Sequence, residues 1–255
     1  MKMMKIGITG LKKNPLARAT ARKAIKILES VKVTVETDRN FLGKGKALEK
    51  FSSDLVLSFG GDGTLLRTFR ELRKEIPVLG INCGRTGYLQ AFNHQELEDG
   101  LRSVLKKEFK IEKRTRIQAR VDGKRTGEAL NEVLVVPKKA GRILRYTLRV
   151  ARDSRDEAGD GFIVSTPTGS TAHSLSAGGP IVKGNAAVFV VVSINPVDWK
   201  HRPLIINDHE KITLSEFGNV KAEAIIDGQK RFPIKRKIEL VKGKSVLLAT
   251  REQKH

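Results

Sequence analysis

Asp62 stands between glycines in Gly60-Gly61-Asp62-Gly63, where the apolar run of residues 54–59 (DLVLSF) gives way to a helical apolar spacing at Leu65, Leu66, Phe69 and Leu72. Glycines let a backbone turn sharply and let a phosphate come close to backbone N–H groups. The helix predicted from near Thr64 adds partial positive charge at the same point. A carboxylate beside phosphates is misplaced for binding alone. It makes chemical sense as the acceptor of a proton from an attacking hydroxyl, or as a partner of the metal ion that accompanies phosphates. Taken by themselves, the four residues fit a tight βα turn with an aspartate N-cap equally well.

A second candidate block spans residues 159–181, GDGFIVSTPTGSTAHSLSAGGPI. Hydroxyl side chains crowd into it at Ser165, Thr166, Thr168, Ser170, Thr171, Ser174 and Ser176, with Gly169, Gly178 and Gly179 between them. Hydroxyls and open backbone groups suit ribose oxygens, an amide or a base edge. A chain that is 30% charged carries no charge from Thr166 to Ile181, which favours backbone close to a ligand over a plain surface loop. Other phosphate signatures fail. Gly243-Lys244-Ser245 has Ile238 where a Walker A loop needs its first glycine, and no Gly-x-Gly-x-x-Gly follows a strand.

The elements that must hold these residues change character along the chain. Strand-like segments at 5–10, 31–37, 54–59 and 77–82 alternate with helical spacing at 14–30, around 47–51 and from 64 onward. That alternation predicts a parallel sheet covered on both faces. A further helix is expected over 94–107, with Asn93 and Glu96 forming its cap. Short strands then follow in quick succession, at 115–121, 129–136, 143–152, 161–166, 187–194, 203–206, 211–215 and 220–226, with turn residues between them. Residues 237–249 read as a final hairpin through Lys242-Gly243-Lys244. The expectation is an α/β N-terminal domain with a Rossmann-like parallel sheet (1–100), then a mainly-β, sandwich-like domain (101–255). The last strands have the option of packing back on the first domain.

With 255 residues there is room for two real cores. No apolar run reaches the ~18 residues of a membrane span. The opening MKMMKIGITG runs directly into a strand without a secretory pattern, so a cytoplasmic protein is expected. Cys83 is the one cysteine, which leaves no intramolecular disulfide, and with five histidines a Cys/His zinc site is not expected. It reads as a small buried residue. The net charge of +21 favours anionic partners. The densest stretch, residues 102–125, holds ten Lys/Arg and three acidic residues with a single aromatic, Phe109, and not the repeated aromatics of a base-stacking platform. Neither nucleic acid nor membrane is the expected partner.

Read together, the two blocks resemble the NAD kinase family. That family carries a GGDG loop, an Asn-Glu pair matched by Asn131-Glu132, a long motif matched over 160–180 with one change, and an Asp-Gly matched by Asp227-Gly228 ahead of Gln229. GGDG alone is shared with lipid kinases and phosphofructokinases; the long motif is specific. The resemblance implies an α/β domain and a β-sandwich-like domain with the nucleotide in the crevice between them. The implied reaction moves the γ-phosphoryl group of ATP to the 2′-hydroxyl of the adenosine ribose of NAD. By carry-over, Asp62 accepts the proton, with Gly60, Gly61 and Gly63 around the phosphates. Asn131 and Thr168 approach the adenine side, while Glu132, Asp160 and Ala172 approach the nicotinamide half. Thr171, Ala172, His173, Ser174, Leu175 and Ser176 line the site and Gln229 closes it. Arg67 and Arg142 are the implied phosphate contacts. A divalent ion such as Mg²⁺ is implied to arrive with ATP, with no dedicated protein metal site. A homo-oligomer, dimer or tetramer, is implied, with a neighbour partly completing the site. The alternatives are a lipid or sphingoid-base kinase and a basic nucleic-acid-binding protein. The donor, ATP alone or also polyphosphate, stays open.

Three departures from the family pattern stand out. His173 replaces the usual Tyr, keeping an aromatic ring as a stacking substitute. Ala158 stands where many members have a basic residue, which moves the expected phosphate contact to Arg155 or elsewhere. The segment SINPVDWKHRPL is altered, though Pro196 and Arg202-Pro203 survive, and its Trp199 reads as core or interface.

Overall fold

Apolar runs and capped amphipathic segments build the first part of the chain, described by a computed structural model over residues 4–85 and 87–252. Strand β1 (Lys5–Gly10) leads into helix α1 (Pro15–Ser30). Asn14 caps α1 by accepting from the Ala17 N–H, and Pro15 fills the first turn, where a missing N–H is harmless. The helix buries Ala17, Ala21, Ala24 and Leu28, one turn apart. Next come β2 (Thr34–Thr37), α2 (Arg39–Leu42), β3 (Leu55–Gly60), α3 (Asp62–Glu71), β4 (Val78–Asn82) and a two-residue β5 (Phe92–Asn93). Helix α4 (Leu97–Lys106) and strand β6 (Phe109–Arg114) follow. The expected capping box at Asn93 and Glu96 is present, closing a 3₁₀ turn that opens α4.

Strands β1 to β4 pair in parallel in the order β2-β1-β3-β4. The chain moves outward from β1 to β2 and then crosses to β3, so the topological switch lies between β1 and β3. Their carboxyl ends are Gly10 and Gly60. Open α/β sheets bind ligands at such a place.

The second part is antiparallel. Strands β7 (Ile117–Val121), β8 (Lys124–Ala129), β9 (Glu132–Pro137), β10 (Leu144–Val150), β11 (Asp153–Gly159) and β12 (Gly161–Ser165) precede the short helix α5 (His173–Ser176). After it come β13 (Val188–Ile194), β14 (Leu204–Asn207), β15 (Ile212–Ser215), β16 (Ala222–Ile226), β17 (Lys230–Ile234) and β18 (Lys237–Lys242). They form two sheets, β11-β10-β15-β18-β7-β8 and β14-β13-β12-β9-β16-β17. One core unites them, with Leu144, Leu148 and Leu240 from the first and Val133, Phe162 and Ala224 from the second. Tyr146 meets Phe162 edge-on at 5.5 Å between ring centroids. The other face of β12 and β13 is covered in turn: Ile163, Val190 and Val192 pack with Ala177 and Val182.

The chain divides into two compact units. One runs to Lys113 and resumes at Val246; the other is Arg114–Ser245. The sequence placed the division at 100. It falls later because α4 buries Leu97, Leu101 and Val104 in the first core and β6 extends the first sheet. Residues 237–249 are not a hairpin. Strand β18 lies in the second unit, whereas β19 (Val246–Arg251) inserts between β4 and β6, parallel to β4. Strands β5, β6, β8, β11 and β17 were not anticipated. β11, DSRDEAG, is an edge strand whose exposed polar side chains hide the period-2 signal, and its pairing with β10 decides its conformation.

Candidate functional site

Three strand ends converge in the first unit. At the end of β1, the Arg67 guanidinium on α3 donates through Nη2 to the Gly10 carbonyl at 2.8 Å and to Thr9 Oγ1 at 3.3 Å. Asp38 lies 3.9 Å away, and Arg67 Nε is buried with no partner. At the end of β3, the helix begins at Asp62 itself, two residues earlier than the apolar spacing predicts, with Gly61 as N-cap. Asp62 is therefore not the cap. Its carboxylate turns to the segment after β4, accepting from the Tyr88 N–H at 2.9 Å, the Leu89 N–H at 3.2 Å and Gln90 Nε2 at 2.9 Å. At the end of β4, Asn82 Oδ1 accepts from the Gly84 N–H. Free of that work, Gly61 has open space around it: a Cβ there would meet nothing within 4 Å. The N-terminus of α3 is thus clear at Gly61 and ready for an anion, whereas Gly60 is packed against Thr64, whose Oγ1 would lie 2.3 Å from a Cβ there.

In the second unit the site residues gather at one end of the sheet. Asn131 and Glu132 open β9. The turn after β16 brings Asp227, at φ +48°, against them, and its carboxylate accepts from the Leu130 and Asn131 N–H groups at 3.1 and 2.8 Å. The hydroxyl-rich block is tied to the same place. The Thr166 N–H donates to the Asn131 carbonyl at 2.9 Å, and the Thr166 hydroxyl donates to the Leu130 carbonyl. Gly169 lies so close that a Cβ would come 2.2 Å from the Asn131 carbonyl oxygen. Ser170 braces the block by accepting from the Val182 N–H at 3.0 Å.

Among the buried polar atoms of this unit without a hydrogen-bond partner are three from these segments: Glu132 Oε2, Thr168 Oγ1 and Ser174 Oγ. Such atoms cost about 1–3 kcal/mol each unless something bonds them. Burial, and after it the negative charge of Asp227, pushes the Glu132 carboxyl up to about 7. Near neutrality Glu132 thus serves as either donor or acceptor. Of the remaining lining candidates, Thr171, His173, Leu175, Ser176 and Gln229 are exposed and Ala172 is half-buried.

Asp160 and Arg142 are not part of this cluster. Asp160 precedes β12, whose far end, Ser165, pairs with Glu132. About five residues of extended strand, roughly 17 Å, separate the two carboxylates' backbones. Asp160 is exposed and accepts from Asn195 Nδ2 at 2.8 Å. Arg142 lies in the β9–β10 connection, also at that far end, and is exposed. Arg155, the substitute phosphate contact, is held by the buried Glu157 at 2.6 Å. Cys83 is buried, which raises its thiol pKa. Trp199 is 70% exposed with Arg202 over its ring, so it is not core.

Two contributors were only partly read, or not read, in the sequence. Asp227 appears there as half of an Asp-Gly motif and turn, with no sign that its carboxylate is buried against Asn131. Gln90 gave no signal at all, since only the fold carries it to Asp62.

A glycine loop at the switch point of a parallel sheet, and a separate antiparallel unit with unbonded buried hydroxyls beside an Asn-Glu pair, define a nucleotide-binding protein of the kinase type. The comparisons agree. Residues 7–109 match the model of the ATP-NAD kinase N-terminal domain and residues 130–247 that of the C-terminal domain. The NAD kinase of Methanothermobacter thermautotrophicus is 34% identical over 95% of this chain and 89% of its own. That of Methanoregula boonei is 36% identical over 78% of this chain and 74% of its own. The crystal structure of an NAD kinase from Archaeoglobus fulgidus in complex with ATP superposes with a TM-score of 0.82 at 27% identity, covering 96% of this chain and 93% of that one. Yeast NADH kinase, complexed with NADH, shares the fold at a TM-score of 0.84 and 21% identity, covering 98% of this chain and 84% of that one. The chain belongs to the NAD kinase family. The lipid-kinase and nucleic-acid readings find no support.

Proposed function

We propose that this protein phosphorylates NAD to NADP, transferring the γ-phosphoryl group of ATP to the 2′-hydroxyl of the adenosine ribose. The observation that carries the reading is the set of unbonded buried atoms, Glu132 Oε2 and Thr168 Oγ1, in the unit that also holds Asn131. They are the kind of partners a dinucleotide's amide, ribose and base would satisfy. Gly60, Gly61 and Gly63, with the N-terminus of α3, take the phosphates, and Arg67 supplies positive charge beside Gly10. Asp62 accepts the proton of the attacking hydroxyl. It does so by exchanging some of its N–H donors at residues 88–90 for the substrate. Asn131 and Thr168 recognise the adenine side; Glu132 and Ala172 recognise the nicotinamide half. His173 stacks, Thr171, Ser174, Leu175 and Ser176 line the pocket, and Gln229 closes it.

Among the described residues no group of three or more His, Cys, Asp or Glu could hold a metal ion. The divalent ion, Mg²⁺, is part of the substrate, carried by the triphosphate whose negative charges it neutralises. No helix of the described residues is long and apolar enough to cross a membrane. The position of Asp160 and Arg142 at the end of the sheet away from Glu132 supports a homo-oligomer in which these residues serve a neighbour's site. NADP formation from NAD, measured with ATP, other nucleoside triphosphates and polyphosphate as donors, tests the activity and its donor range. No NADP with any donor refutes it. Sedimentation equilibrium tests the assembly, and a monomer at micromolar concentration refutes that part.

A further inference from the structure

At the end of the second unit's sandwich away from Asn131, the turns β7–β8, β15–β16 and β17–β18 surround a cavity of about 1060 Å³. Seven residues of extended chain along β9, roughly 23 Å, separate it from Asn131. Six cations line it: Lys138, Arg149, Lys221, Lys235, Arg236 and Lys237. Its two acids are already engaged. Asp122 accepts from the N–H groups of Lys235, Arg236 and Lys237 at 2.8–3.0 Å, and Glu216 faces Arg149 at 3.5 Å and the Thr147 hydroxyl at 3.2 Å. Lys237 is 3.5 Å from Glu239, whereas Lys138, Lys221, Lys235 and Arg236 have no ion pair among the described residues.

The backbone that carries these charges is fixed. The Asp122 carboxylate fixes the turn that presents three consecutive cations, and the Lys138 N–H donates to the Lys221 carbonyl at 2.8 Å, holding those two side by side. Like charges gathered around a concavity repel one another and focus a positive potential into it. The aromatic in its lining, Phe217, is buried in the core and offers no face for base stacking.

We propose that this cavity is a binding site for a short chain of linked phosphates, either a free inorganic oligophosphate or the triphosphate tail of a nucleotide. Lys138, Lys221 and Lys235, which have no ion pair, and Arg236, whose nearest counter-charge is the turn-bound Asp122, are spaced around one depression and match several adjacent phosphate groups better than a single monoanion. The proposal does not depend on the NAD kinase reading.

The test is calorimetric titration of the full-length protein with inorganic tripolyphosphate, comparing wild type with Lys221→Gln/Lys235→Gln/Arg236→Gln. Wild type should bind one more equivalent than the variant, or bind it at least about tenfold tighter, while NADP formation at saturating substrates stays the same. A non-hydrolysable ATP analogue in a parallel titration separates the two sources: an equal difference between proteins means the site takes nucleotide tails as well. Lys138→Gln, in the β9–β10 connection, gives an independent readout if the triple variant does not fold. Identical stoichiometry and affinity in wild type and variants overturns the proposal. So does equal competition by sulfate at matched ionic strength, which would mean general charge attraction only. Tighter binding of duplex DNA than of tripolyphosphate, lost in the same variants, would make the face a nucleic-acid surface and overturn it too.

Discussion

The Asp62 carboxylate receives three N–H donors, two of them from backbone. An asparagine there keeps the shape but turns an NH₂ group toward at least one of those donors. Asp62→Asn should therefore lower stability by about 1–3 kcal/mol, as well as remove the proposed base, which costs roughly 10²- to 10⁴-fold in rate. Turnover measured well below the melting temperature separates the two effects, and near-normal kcat would reduce Asp62 to a loop anchor. Glu132 makes a different prediction. Its folded pKa of about 7 lies above the reference value of 4.5, so the folded state holds that proton more tightly. The resulting stabilisation is complete below pH 4.5 and is lost as the pH rises through 7, an amount on the order of 3 kcal/mol. Ligand-free Glu132→Gln should match wild type near pH 4.5 and exceed it in denaturant midpoint at pH 8. A difference that does not change with pH would sink this reading.

At the scale of elements, two glycines give opposite expectations. A methyl group at Gly169 meets the Asn131 carbonyl oxygen, carbon and Cα at 2.2–2.6 Å, all backbone. Gly169→Ala must push the β12–α5 segment away from β9, so both melting temperature and NAD affinity should fall. Gly61→Ala meets nothing in the ligand-free protein. Its melting temperature should stay within experimental error of wild type, while the KM for ATP rises because the phosphates need that space. If Gly61→Ala leaves ATP kinetics untouched, the loop does not cradle phosphate. The parallel strands, α1 and the Asn93–Glu96 box were legible in the sequence, because local spacing and capping chemistry decide them. β11 and β17 were not, because their ladders with β10 and β16 create them.

For the molecule as a whole, the last strand is decisive. Val246, Leu248 and Ala249 are buried in the first unit's sheet, and Arg251 pairs with Glu96 at 3.0 Å and lies over the Phe92 ring. A chain ending at Ser245 loses the burial of a Val and a Leu, each about 1.5–3 kcal/mol, and removes the strand that joins β4 to β6. That is a large part of an ordinary folding stability of roughly 5–15 kcal/mol, so the truncated chain should show reduced helical circular dichroism or a much lower melting temperature. Unchanged melting would show β19 to be dispensable. Excess EDTA should abolish NADP formation and Mg²⁺ restore it, without a change in the melting temperature of the ligand-free protein; full activity in EDTA would rule out a metal–nucleotide substrate.

By itself the sequence determined the order of α/β and antiparallel segments, the glycine loop around Asp62, the Asn131-Glu132 pair and the hydroxyl block. All of these are written in contiguous residues, where short-range sterics and spacing act. Only the tertiary structure decided what those residues touch. It set Gln90 and the backbone of residues 88 and 89 on Asp62, put Asp227 beneath Asn131, and left Glu132, Thr168 and Ser174 with unbonded buried atoms. It also placed Asp160 at the opposite end of its strand from Glu132 and sent β19 back to the first sheet. Each of these depends on pairing register and burial between segments far apart in the chain, for which local residue patterns carry no signal.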